Sequence, residues 1–330
     1  MLRRLLCLLL RPLVEEEAPI GGQAVMEGVM MRNGPIYALA VRHPDGTIVA
    51  ESRPWFILCR AAWLKKPFIR GFPTLLETLV NGIKALNRSA EQAAEAESEK
   101  MEGWHLALTL CLALCMAIGL FVITPHLMSL GMQWLGLGGG VEGLSFHLWD
   151  GLFKLLIFIG YILAISLVPD IRRVFQYHGA EHKVICAFEG GGEVTATEAA
   201  RMSRLHPRCG TTFLLFVISI SILLHAVLVP ALLLIWLPEN VIAKHVLTIV
   251  FKLLLMVPIS ALAYELIRCA ARKGNTLWGK ILRAPGLVLQ LLTTYEPDHS
   301  QLDVAVVALY EALGDAAPET VRPPSYRSMA

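Results

Sequence analysis

Charge is scarce in this chain: 17% of its 330 residues are charged, where soluble domains carry about 25%. No polybasic segment stands out and the formal net charge is only +2. That balance argues against a nucleic-acid partner. The seven cysteines are odd in number and scattered, with no C-x-x-C pair. Neither a disulfide framework nor a zinc ribbon is indicated. Cys111 and Cys115, four apart in an apolar run, read as small core residues. A convincing signal peptide is lacking too. Met1 to Leu10 begins with two arginines, but its apolar run is short and Arg11-Pro12 ends it. It reads as a surface-seeking segment. No internal repeat is visible.

What is present is apolar. Hydrophobic residues make up 55% of the chain, and the mean hydropathy of +0.57 is high for a protein that must dissolve in water. Four stretches are long enough for a bilayer core, which takes about 20 residues. They run from about Trp104 to Met128, Leu148 to Val168, Thr212 to Trp236 and His245 to Ile267, with Pro125, Pro169, Pro238 and Arg268 near their ends. Ile281 to Leu292 is shorter and interrupted by Arg283 and Pro285, which suits an interfacial or re-entrant helix.

Lysine and arginine set the expected orientation. Residues 125–147 contain neither, and the short loop near Glu239 is followed only by Lys244. By contrast, Arg172, Arg173, Lys183, Arg201, Arg204 and Arg208 lie between the second and third spans, and Arg268, Arg272, Lys273, Lys280 and Arg283 lie beyond the fourth. Residues 1–103 are also well supplied. This alternation places both termini and the middle loop in the cytoplasm.

The expected fold is therefore an all-α polytopic membrane protein of about four transmembrane helices, with a small N-terminal β-hairpin region and cytoplasmic amphipathic helices. Residues 1–103 form the N-terminal region, 104–268 the membrane domain with its loop 170–211, 269–313 an interfacial C-terminal region, and 314–330 a disordered tail. Ile36–Val41 and Thr47–Ser52 flank His43-Pro44-Asp45-Gly46, which has turn chemistry and predicts the hairpin. Gly21, Gly22 and Gly28 predict a loop before it. Residues 54–88 suit an amphipathic helix on the membrane surface. Ser89 to Glu102 reads as a solvated helical linker, and Leu302 to Leu313 as a helix.

The middle loop carries His178-Gly179-Ala180-Glu181-His182, an H-x-x-E-H pattern. Histidines at i and i+4 share a helix face and can hold one metal, with Glu181 at the edge of that face to take a proton from water. Gly179 speaks against it, since glycine inside a helix costs about 1 kcal/mol. The alternative is an interfacial helix whose polar side chains bond to headgroups or to one another. His206-Pro207-Arg208-Cys209-Gly210 adds two further donors, His206 and Cys209, or simply shapes the start of the third span. Four N/S ligands would make a closed, structural shell, whereas three leave a position for catalysis. Glu265 is a candidate third ligand, or else pairs with Arg268. Glu27 faces the site or pairs with Arg32, and Glu296 is a further carboxylate. His225 and Lys252 lie within spans. His225 is expected to bond between helices and Lys252 to snorkel.

These segments together resemble the YqhQ-like family of bacterial membrane proteins. The matching stretches are Gly21 to Arg32, Tyr177 to Lys183, His206 to Thr211 and Pro285 to Pro297, within a resemblance over about residues 18–312. It implies the bacterial inner membrane and carries a label of metal dependence, with no established substrate or reaction.

The expectation is a metal-dependent membrane enzyme, a hydrolase of membrane peptides or lipids. Zn²⁺ would be its cofactor, Glu181 its base and the bilayer its surroundings. The alternative is a non-enzymatic scaffold or assembly factor with a structural metal or none. A transporter has little to build on, since the spans show no intramembrane carboxylate on this reading.

Overall fold

The computed structural model describes residues 20–58, 61–93, 103–207, 209–236, 238–272 and 276–329. The N-terminal Met1–Pro12 segment, Arg208 and most of the linker after Ser89 lie outside the described residues. The rest is mostly helical, with a small sheet drawn chiefly from the N-terminal region.

Strands β1 (Gly21–Val25), β2 (Gly28–Asn33), β3 (Ile36–Arg42) and β4 (Ile48–Pro54) form an antiparallel meander. Their side chains alternate, as the two-residue period of a strand requires. Met30, Tyr37, Leu39 and Val41 face helix α1 (Gly71–Ala93) around Ala85. Val29, Met31, Ala38, Ala40, Ile48 and Ala50 face the other way, into the largest core cluster. That core is closed by α4 (Pro169–Glu189), through Tyr177, Ala180 and Val184, and by α9 (His299–Leu313), through Leu302, Val306 and Leu309. With both faces covered, the sheet has no solvated side. A reciprocal capping box between Asp298 and Gln301 fixes the start of α9.

The loop expected around Gly21–Gly28 is instead β1, β2 and the tight turn between them. Glycine is there for close approach: a β-carbon on Gly22 would stand 2.8 Å from the Glu181 carboxylate. Of residues 314–330, expected as a disordered tail, residues 314–329 return to the domain. Val194 and Val321 form a bridge, and β5 (Arg327–Ser328) pairs parallel with β4. Apolar Val321 is buried there, and the Tyr326 hydroxyl donates to Glu311, so this polar-looking stretch has somewhere to pack.

Among the described residues, four helices are long and apolar enough to cross a membrane: 107–134 within α2, α3 (Leu144–Ile165), α6 (Gly210–Ile235) and 241–269 within α7 (Val241–Arg272). The α2 rod runs from Gly103 to Trp134 through a π-helical turn at Gly119–Ile123. Pro125 thus lies inside the first span, which continues to Trp134, beyond the expected end near Met128. The wider turn and the Thr124 hydroxyl, which donates to the Gly119 carbonyl, accommodate the missing amide. Pro169 opens α4 rather than merely closing α3. A short α5 (Ala196–Ala200) follows it. The stretch at Ile281–Leu292 belongs to a longer helix, α8 (Leu277–Thr293), which keeps Pro285 in its interior and packs on α6, α7 and α3.

Candidate metal centre

Helix α4 carries the H-x-x-E-H pattern as a continuous helix in which Tyr177 and residues 179–185 are buried. Gly179 has a tertiary reason: any β-carbon there would run into the Tyr295 carbonyl. The glycine lets the connector between α8 and α9 cross α4 beside His178. Residues at the end of α8 and in the loop before α6 then reach the histidines.

Each histidine is oriented by a backbone carbonyl. His178 donates from Nδ1 to Thr293 O at 2.8 Å, and His182 from Nδ1 to Arg204 O at 2.6 Å. A carbonyl can only accept, so both Nδ1 atoms carry hydrogen. In the neutral rings both Nε2 atoms then present lone pairs, the outer-shell arrangement of metal-ligating histidine. Burial and the neighbouring His178 push the His182 pKa down to about 3, which keeps its imidazole neutral. His182 Nε2 is buried without a hydrogen-bond partner.

The third donor is Cys209, whose Sγ lies 3.1 Å from His178 Nε2. It caps the N-terminus of α6, accepting from the Thr211 amide. Burial pushes the thiol pKa up, against the bonds from Thr211 that lower it. A cation among these donors would reverse that preference, since a coordinated thiol loses its proton. One ligand atom each from His178, His182 and Cys209 lie within 4.8 Å of one another. The soft N/N/S donor set and the orphaned His182 nitrogen fit a zinc-type ion.

Glu181 stands beside this group with 5% of its surface exposed. Burial raises its pKa to about 8, outweighing the lowering by His178 and by the Gly22 amide. One of its oxygens has no hydrogen-bond partner.

The other candidates are placed elsewhere. His206 lies with its ring 5.7 Å from that of His182, and its Nε2 faces Glu189 at 3.4 Å. Its backbone is clamped by Gln290, which accepts from His206 N and donates to His206 O. Glu265 is held by Arg70 through two hydrogen bonds of 2.8 and 2.7 Å, so its carboxylate is taken up in anchoring α1 to α7. Glu27 occupies the β1–β2 turn with φ 48°. Its carboxylate takes two bonds from Arg173, at 2.5 and 2.6 Å, and one from Tyr177. Arg32 instead lies over the Trp55 ring. Glu296 pairs at 2.5 Å with Lys183, and its own side chain is largely exposed.

Sequence reasoning missed a second cluster, within the bundle. Asp150 on α3 pairs with Lys252 on α7 at 2.5 Å, both 1% exposed. Lys252 therefore does not snorkel, because its buried side chain is engaged by the Asp150 carboxylate. Lys154 lies between Asp150 and His225. An intramembrane carboxylate is present after all, and Asp150 and Lys154, four apart in an apolar run, were the signal for it.

Fold and site together define a membrane-type helical bundle joined to a sheet domain, with a His/His/Cys cluster where they meet. The profile of a family described as a protein of unknown function, DUF1385, matches residues 66–315, and the chain belongs to that family. It is 34% identical over 322 residues to the uncharacterized protein YqhQ of Bacillus subtilis (strain 168), covering 93% of this chain and 96% of that protein. No solved structure matches.

Proposed function

We propose that this protein is a metal-dependent membrane hydrolase in which His178, His182 and Cys209 hold one Zn²⁺. The observation that carries the reading is the convergence of three donors, two of them fixed by backbone carbonyls. Three protein ligands leave a position for substrate. When bound, zinc supplies Lewis-acid polarisation of a carbonyl or phosphoryl oxygen. Glu181 is the proton acceptor, and burial tunes it towards neutral pH. Substrates are membrane peptides or lipids. The exposed apolar residues Phe56, Ile57, Leu58, Trp63, Phe68 and Ile69 beside α1 support seating this region on the bilayer surface. The lysine and arginine distribution supports a bacterial inner-membrane protein with both termini and the α4–α6 segment cytoplasmic.

The deep burial of His182 and Cys209 favours a second reading, a scaffold in which a structural metal ties α4 to α6. Metal analysis of protein purified without chelator tests both. The expectation is about one zinc per chain, lost in His182→Ala and Cys209→Ala, kept in His206→Ala and Glu181→Gln. Absence of zinc from wild type overturns the metal centre. With zinc kept, failure of Glu181→Gln to complement a deletion strain supports the hydrolase, and full complementation supports the scaffold.

A further inference from the structure

A groove outside the metal centre lies between the loop Ser203–Pro207 and helix α8. Arg204 and His206 of that loop are both pinned. The Arg204 carbonyl accepts from His182, and its guanidinium donates to the Thr294 carbonyl. Gln290 bonds both backbone groups of His206. In a chain fixed at alternate residues, the intervening side chains turn the other way. Ser203, Leu205 and Pro207 are those intervening residues, and they form one wall of the groove.

Lys280, Ala284 and Leu287 form the other wall. They stand at i, i+4 and i+7 and so share a face of α8. The enclosed space is about 400 Å³, within the range of small-molecule sites. The bonds at Gln290 and Thr294 fasten the two walls to each other, so the groove is preformed. They also set its direction. Arg204 meets Thr294 and His206 meets Gln290, so the walls run antiparallel and Lys280 falls at the Pro207 end. Leu205, Pro207, Ala284 and Leu287 make the lining apolar away from that lysine. An apolar trough with one cation at its end fits an amphiphile with an anionic head and a hydrocarbon chain.

Location selects the amphiphile. The groove sits at the end of the bundle where α6 begins and α7 ends, which is where spans of this length meet a bilayer surface. Leu277, Trp278, Ile281, Val288 and Leu291 of α8 are exposed, an apolar surface with a tryptophan of the kind that sits at headgroup level. A lipid can therefore reach the groove sideways from its own leaflet. A peptide would bring backbone donors and acceptors that apolar walls leave unpaired, whereas a hydrocarbon chain brings none.

We propose that this groove binds one anionic phospholipid, with an acyl chain along Leu205, Pro207, Ala284 and Leu287 and the phosphate at Lys280. The inference stands whether the metal centre is catalytic or structural.

The test is native mass spectrometry of the full chain in detergent, incubated with phosphatidylglycerol or with phosphatidylcholine of the same chain length. Wild type is expected to retain one phosphatidylglycerol per chain and to prefer it over phosphatidylcholine by about fivefold, the weight of one lysine beside an anionic headgroup. Lys280→Gln removes the preference and still retains either lipid. Ala284 is exposed, so Ala284→Trp fills the groove without entering the core, and retention is lost at an unchanged melting point. Inorganic phosphate leaves the lipid in place, because the chain holds it. Equal retention of both lipids by wild type, a preference that survives Lys280→Gln, retention undiminished in Ala284→Trp, or displacement by inorganic phosphate overturns the proposal. A dimer that Ala284→Trp breaks overturns it too, and gives the groove to a second copy of the chain.

Discussion

The two buried polar clusters solve opposite problems. In the sheet domain, the His178, His182 and Cys209 donors converge on a common point and involve no fixed ion pair among themselves. Backbone carbonyls orient the rings, and burial favours a neutral His182 imidazole and a neutral Cys209 thiol until a cation arrives. In the bundle, Asp150, Lys154 and Lys252 bring their own charges and compensate most of them locally. Ammonium groups cannot ligate a metal, and the side chains there run in sequence instead of converging. The difference shows that ligand type, more than burial, decides whether a polar cluster suits ion capture or internal charge pairing.

The most severe way to break this contrast is to remove the bundle carboxylate. Asp150→Ala leaves Lys252 buried without its counter-charge, and should destabilise the protein by about 3–5 kcal/mol. Thermal unfolding in detergent measures it. The double variant Asp150→Ala, Lys252→Met should recover most of that loss, and an unchanged melting point in Asp150→Ala alone would show that the charges are not electrostatically coupled.

A milder effect is expected in the sheet domain, where geometry rather than charge is at stake. Gly179→Ala forces a β-carbon against the Tyr295 carbonyl, at an expected cost of about 1–3 kcal/mol. Because the connector moves beside His178, zinc content should fall along with stability. Retained zinc in a destabilised protein would separate the two effects.

Least costly is Glu27→Gln. Its carboxylate accepts two bonds from Arg173, but the arginine side chain is 47% exposed. Solvent screening limits such a pair to about 1 kcal/mol or less. A urea titration checks it. A loss several times larger would mean that the β1–β2 turn depends on this contact for its strained φ.

The metal candidates were only half legible in the sequence. His178 and His182 share a helix face by spacing alone, which brings two donors together whatever else folds around them. The third donor could not be chosen that way. Cys209, His206 and Glu265 were all reasonable, and Arg70, 195 residues from Glu265, is what occupies that carboxylate. Likewise His206 is turned towards Glu189 by the clamp from Gln290, 84 residues on. Gly179 looked like a defect because helix propensity is local, whereas the crossing connector that requires glycine is not.

By itself, the sequence determined the four apolar helices, because a run of about 20 apolar residues satisfies its backbone internally and needs no distant partner. It also determined the i, i+4 placement of the two histidines. Only the tertiary structure decided that residues 21–33 are strands, that the last residues return to β4, and which buried charges find one another. The pairing of β4 with β5 and of Asp150 with Lys252 joins residues a hundred or more positions apart, and the strands of residues 21–33 are held against helices equally distant in the chain.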